Sequence, residues 1–151
     1  MEETRRFREH EGGFRWAGVD LHEYKTGGDA PFKDVTRQTL FRDDALAGEL
    51  RYFEVAPGGH STLERHRHVH AVMILRGSGR CLVGDEVRDL ATLDLVSIPP
   101  MTWHQFRAGP DEPLGFLCMV DRERDRPELP GADDLAALRT DPAISEFLRS
   151  D

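Results

Sequence analysis

Residues 58–77, GGHSTLERHRHVHAVMILRG, and residues 93–108, LDLVSIPPMTWHQFRA, carry the pattern from which the fold of this chain can be read. Four potential metal ligands lie in them: Glu64, His66 and His70 in the first stretch and His104 in the second. Carboxylate and imidazole together suit borderline divalent transition metals such as Fe, Mn, Ni or Zn. Glycines, prolines and short β-type runs bracket both stretches, so the ligands are placed on strands and tight turns.

Spacing then constrains the path. A metal takes ligand atoms only at about 2.0–2.2 Å. Glu64 and His66 are two apart and face the same way on a strand. If that strand continued, a rise of about 3.3 Å per residue would put His70 roughly 20 Å from Glu64, too far for one ion. The chain is therefore predicted to reverse at Arg67, His68 and Val69, with His70 opening a partner strand beside His66. His68 could displace Glu64 or His66 as a ligand, or sit at the turn facing substrate or solvent. His104 arrives from a separate hairpin, because Pro99-Pro100 ends the preceding strand. Trp103 is read either as excluding water from the site or as core, and Val72, Ile74 and Phe106 either as apolar pocket walls or as barrel core. Strand alternation puts Gln105 on the face opposite His104.

Outward from this centre, strand-like runs recur at tight spacing: Phe14 to Tyr24, Val35 to Phe41, Leu50 to Val55, His70 to Leu75, Arg80 to Val83, Glu86 to Leu90, Asp94 to Ile98, His104 to Arg107 and Leu114 to Val120. Gly84-Asp85 is a two-residue hairpin signal, Thr26 to Pro31 and Asp43 to Gly48 read as turns, and Ala56 to Gly59 reads as a break. So many short strands predict an antiparallel sandwich or barrel. The polar N-terminal dozen residues read as loosely held, with at most a helical turn. The end changes character. Asp133 and Asp134 are predicted to cap a helix of Leu135 to Arg139, and Asp141-Pro142 to start another, with Ile144, Phe147 and Leu148 on one face.

The 151 residues suit a single domain, with a motif region at about 50–120, N-terminal strands at 14–55 and a helical tail at 133–149. A net charge of −8, from 28 acids against 20 bases, disfavours nucleic acid as a partner. No apolar run reaches the roughly 20 residues of a membrane helix. The charged first residues lack a secretory h-region, so the expected setting is the cytoplasm. Cys81 and Cys118 lie in apolar runs and read as packed thiols. Arg122, Arg124 and Arg126 alternate with Asp121, Glu123 and Asp125, which reads as a solvated connector.

The quoted stretches resemble the cupin superfamily, small antiparallel β-barrels of jelly-roll type. Its first motif runs G, five residues, H-x-H, three or four residues, E, six residues, G; here Gly58, Glu64-x-His66, His70 and Gly77 keep every interval. Its second runs G, five residues, P-x-G, two residues, H, three residues, N; here Leu93, Pro99, Met101, His104 and Ala108 stand at those places. Glutamate and histidine are exchanged within the first motif, which leaves three histidines and one carboxylate. The second has lost two glycines and the asparagine. The resemblance implies an all-β jelly-roll barrel with a short C-terminal helix, one divalent transition metal, a small organic molecule as substrate or ligand, and a homodimer. Among cupin activities it points first to a dioxygenase-like enzyme. The alternatives are an isomerase, lyase or cyclase, or a non-catalytic metal-containing binding or regulatory protein. Ala71, Met73 and Leu75 alternate with His70, Val72 and Ile74, so the strand is apolar on both faces and needs a second cover, either the C-terminal helix or another subunit, and the resemblance favours the subunit.

Overall fold

In the structure, a computed structural model, residues 6–24 and 30–148 are described. Eleven strands occur among them: β1 His10–Gly12, β2 Arg15–Trp16, β3 His22–Tyr24, β4 Lys33–Arg42, β5 Gly48–His60, β6 His70–Gly77, β7 Gly79–Val83, β8 Glu86–Leu90, β9 Leu95–Ile98, β10 His104–Ala108 and β11 Leu114–Asp121. Two helices follow, α1 Ala132–Leu138 and α2 Pro142–Leu148. All pairing is antiparallel. β1 and β2 form a small hairpin, and the other nine strands make one curled sheet ordered β8-β7-β10-β5-β11-β6-β9, with β4 on the free side of β5 and β3 beyond it.

The all-β jelly-roll expectation is met, and so is the Gly84-Asp85 hairpin, where Gly84 takes φ 65° and β7 pairs with β8 from Val83↔Glu86 outward. Several boundaries differ. The run from Phe14 to Tyr24 is not one strand, because Gly18 at φ 70° breaks it between β2 and β3. Where a helical turn was allowed, residues 10–12 are strand. The expected break at Ala56 to Gly59 is instead a bend inside β5, with Gly58 at φ 76° and its N–H bonded to the Gly109 carbonyl at 2.9 Å. Before the bend β5 pairs with β11, and after it with β10 at His60↔Arg107. The turn at Thr26 to Pro31 falls mostly outside the described residues.

The barrel interior holds Val55, Val72, Ile74, Cys81, Ile98, Phe106, Leu114, Phe116 and Cys118 in one buried cluster. β7 buries both faces. Cys81 points into that cluster, while its neighbour Leu82 packs outward with Leu63, Ile144 and Phe147. The second cluster is why the tail docks. Asp141 caps α2 by accepting from the Ala143 and Ile144 N–H groups at 2.8 and 3.3 Å, which sets Ile144 and Phe147 against the sheet. At α1 the cap is Gly131 rather than Asp133 or Asp134; Asp134 reaches back to accept from the Gly131 N–H at 2.9 Å. Both cysteines are buried free thiols. Among the described residues no helix is long and apolar enough to cross a membrane.

Four non-glycine residues among those described adopt positive φ, Phe14, Asp34, Leu93 and Met101, and the last two bear on the second motif. Leu93 and Met101, which stand where the second motif carries glycine, adopt φ 76° and 53°. The turns are kept although the glycines are gone, and each non-glycine residue in the left-handed region costs about 1–2 kcal/mol. Both side chains are exposed. Leu93→Gly and Met101→Gly are therefore expected to raise stability by up to about 1 kcal/mol each, once the greater freedom of glycine in the unfolded chain is subtracted. Leu95→Gly, in the strand next door, should lower it; urea unfolding of the three variants decides the matter.

Candidate metal centre

Local pairing assembles the site. After β5 the chain leaves the sheet, and Glu64 forms a two-way backbone bridge with His104: the Glu64 N–H donates to the His104 carbonyl at 3.2 Å and the His104 N–H donates back at 3.0 Å. Two residues on, the Met101 N–H donates to the His66 carbonyl at 2.7 Å. The segment bends at Arg67 and His68 and re-enters the sheet at His70. The reversal is present where spacing demanded it, but it is not a hairpin. β6 pairs with β9 and β11, and the partners of residues 64–66 are His104, Glu128 and Met101.

His66, His70 and His104 each offer a nitrogen, and these atoms lie within 4.8 Å of one another. The triad is positioned to bind a metal ion, and its hydrogen bonds suit that task. Nδ1 of His66 lies 2.7 Å from the His68 carbonyl, and Nδ1 of His104 lies 2.9 Å from the Thr102 carbonyl. A carbonyl can only accept, so each Nδ1 carries the proton and each Nε2 keeps a free lone pair. Nε2 of His70 and Nε2 of His104 face each other at 3.4 Å. On its other side, Nδ1 of His70 lies 3.3 Å from the Cys118 sulfur.

Burial, together with repulsion from the neighbouring imidazoles, pushes His70 down to about 3; burial likewise takes His104 down to about 4 and lowers His66. All three rings are thus neutral at pH 7, the form a metal requires. Glu64 lines the same cavity outside the tight group, and burial pushes its carboxyl up to about 7 against the pull of Arg51. His68 also lines the cavity. Its ring stacks on His66 at 3.7 Å and its Nδ1 meets Asp125 at 2.8 Å. The Arg67 N–H first, then the His68 groups, hold the Asp125 carboxyl well below the usual range.

The cavity measures about 470 Å³, within the range of small-molecule sites. Phe106 forms part of its wall with Phe53 and Phe116. Val72 and Ile74 are fully buried in the barrel core, and Trp103 packs in the tail cluster under Arg65, whose guanidinium lies 4.4 Å from the ring. Gln105 faces away from the triad, donating to the Ser61 carbonyl at 2.9 Å. The solvated-connector reading of residues 121–126 needs correction: Arg124, Asp125 and Arg126, with Pro127 and Leu129, form one side of the cavity, and Arg51 stands deeper in it. Alternating charge gave no sign of that role. The only hint was that a basic residue in β5, two before Phe53, must point into the barrel or out of it.

Residues 51–120 match the family described as Cupin_2, cupin domain. A Rhodospirillum rubrum protein named 1-methylthio-D-xylulose 5-phosphate methylsulfurylase is 60% identical over 146 residues, covering 97% of this chain and 94% of that one. The crystal structure of a cupin 2 conserved barrel domain protein from Rhodopseudomonas palustris superposes with a TM-score of 0.91 at 60% identity, covering 93% of this chain and 97% of that one. A cupin-2 domain from Rhodospirillum rubrum superposes at 0.89 and 59% identity, covering 97% of this chain and 98% of that one.

The depressed histidines have a consequence for stability. The ordinary histidine value is 6.5, so below it the unfolded chain takes up protons that the folded one refuses. Stability of the metal-free protein should therefore fall as the pH drops from about 6.5 toward 4, by up to about 1.4 kcal/mol per pH unit per histidine. Glu64, raised from 4.5 to about 7, offsets one of the three across that interval. The urea midpoint should be lower at pH 5 than at pH 7, and His104→Asn should reduce the difference; equal midpoints in the parent protein would contradict the buried neutral rings.

Proposed function

The chain belongs to the cupin family, and from that premise we propose that it is a metal-dependent enzyme removing the methylthio group from a phosphorylated methylthio sugar. The observation that carries this reading is 60% identity, spread over 97% of the chain, to a protein named for such chemistry. The cavity supports it, since neutral imidazoles, an apolar wall and cationic side chains meet in one small space.

His66, His70 and His104 would hold the ion, with Glu64 as a fourth ligand and His68 left to face the substrate. Fe, Mn, Ni or Zn would suit that donor set. A bound divalent ion would supply a Lewis acid for a carbonyl oxygen. In a 1-methylthio-2-ketose that carbonyl adjoins the carbon carrying sulfur, so the reacting bond would lie beside the ion. Phe53, Phe106 and Phe116, which line the cavity, would keep bulk water from that end of the ligand. His68 and Asp125 hold a proton between them at 2.8 Å, at the edge of the space the ligand would fill. An oxygenase built on the same ligands is the alternative, and oxygen uptake separates the two.

We place the protein in the cytoplasm, in keeping with its unpaired thiols, and assign it a homodimeric state. The outer face of β6, β9 and β11 presents Met73 opposite Leu95 and Met119 opposite Ala71, with Leu95 64% and Met119 63% exposed. The tail covers β7 and leaves this face open, so a second copy is the cover proposed for it.

Protein purified without a histidine tag should contain about one transition metal per chain, and His104→Ala should contain less than a tenth of that. Methylthio release from 1-methylthio-D-xylulose 5-phosphate, assayed with a small-molecule thiol that takes the CH3S group as a mixed disulfide while C1 takes the proton, should follow metal content. Oxygen consumption without release would move the assignment to an oxygenase. Sedimentation should show a dimer that Met119→Asp converts to monomer.

A further inference from the structure

The protein is acidic, with a net charge of −8, yet its cavity is not. The charged side chains that line it are Arg51, Arg124 and Arg126 against Asp125 and Glu64. Asp125 is already committed: one oxygen accepts from the Arg67 N–H at 2.8 Å, and the other meets the His68 N–H at 2.9 Å and the His68 ring at 2.8 Å. Glu64 belongs to the imidazole end. A cationic wall inside an anionic molecule concentrates field lines in the cleft and selects anionic ligands.

Arg51 is the informative member. Its side chain is only 12% exposed, and its Nε is buried and donates no hydrogen bond. The nearest carboxylate oxygen, on Glu49, is 3.8 Å from that Nε and is held instead by Arg124 at 2.9 Å. Two guanidinium groups thus share the Glu49 carboxylate, and Glu64 attracts Arg51 from the imidazole end, so Arg51 has no carboxylate of its own on this wall. Stacking over Phe53 at 5.0 Å and a contact of 3.8 Å between Nη2 and the Cys118 sulfur fix the group in place. A buried cation short of acceptors is costly unless something anionic completes it. The planar fork of arginine matches the oxygens of a phosphoryl group.

We propose that Arg51, Arg124 and Arg126 form the subsite for the phosphoryl group of a small sugar phosphate, with Arg51 as the buried anchor. The identity of the ester rests on the function proposed above; the class of ligand, a phosphate monoester dianion, rests on the cavity's own charges. Cys118 touches both Arg51 and His70, so the guanidinium stands one side chain away from the imidazole cluster. A short sugar ester with its carbonyl toward the imidazoles would bring its phosphate to this wall.

Calorimetric titration of the metal-loaded protein with D-xylulose 5-phosphate, D-xylulose and inorganic phosphate tests the subsite. Arg51→Gln should weaken the ester by about 10- to 100-fold, the range for a lost charge-assisted contact, and Arg51→Lys by less. D-xylulose should bind far more weakly than the ester and equally to all variants, and metal content should not change. Inorganic phosphate should compete with the ester in the parent protein and fail to compete in Arg51→Gln; competition that persists there would assign the ion to another place and overturn the subsite. Arg126→Gln, at the exposed rim where folding is not at stake, should weaken the ester severalfold even if Arg51→Gln does not fold. Arg88→Gln, in an exposed pair with Glu86 far along the barrel, should change nothing. Unaltered ester affinity in Arg51→Gln and Arg126→Gln would refute the proposal while leaving methylthio release standing. Loss of ester binding in a protein that releases no methylthio group would keep the subsite and discard the reaction.

Discussion

Glu64 and His104 are joined by two peptide hydrogen bonds, and the site depends on that join. Forty residues of chain separate them, and neither belongs to a strand that pairs with the other along its length. The bridge pins the irregular segment 61–69 to the start of β10, so that His66 and His104 come from opposite sides of one short contact. β6 then delivers His70 from the sheet. A rigid ladder thus supplies two imidazoles, and a strapped loop supplies the third. The arrangement gains from being backbone-built: the carbonyls of His68 and Thr102 fix two ring orientations without any further side chain.

The same economy governs charge. Neutral rings crowd together because water is excluded from them, and the carboxyl among them is driven toward its protonated form for the same reason. A cation entering this space removes the penalty on every group at once, which is the physical sense in which the site is prepared for one. Arg51 adjoins that cluster through Cys118, which also touches His70, and it pulls on Glu64, so the cationic side of the cavity begins where the coordinating side ends. Molecules with an oxygen donor at one terminus and an anion at the other fit that polarity.

Much of this could be read from residues alone. The interval His70–Gly77 spans one strand, Pro99 follows the end of another and His104 opens a third, and the two-residue turn at Gly84-Asp85 encodes a register. The impossibility of stretching from Glu64 to His70 required a reversal, and one is there. Its partners were not legible, because pairing between residues 64–66 and 101–104 is set by tertiary closure and leaves no local signal. Gly58 was misleading for a related reason. A glycine at positive φ ends a turn or bends a strand with equal ease, and only the Gly109 carbonyl across the sheet decides between them. The role of Arg51 was likewise hidden, since alternation gives a face but not what stands opposite it.

The pairing of β5 with β11, which sets Val55 beside Leu114, has a temporal side. Contacts so far apart along the chain cannot form until β11 has emerged, and closing large loops is slow. His66 and His70 are made early, but the strand that flanks β6, and the one that brings His104, come late. Nascent chains therefore expose a histidine-rich segment with no finished pocket around it. The three imidazole nitrogens thus come within reach of one another only when the barrel closes.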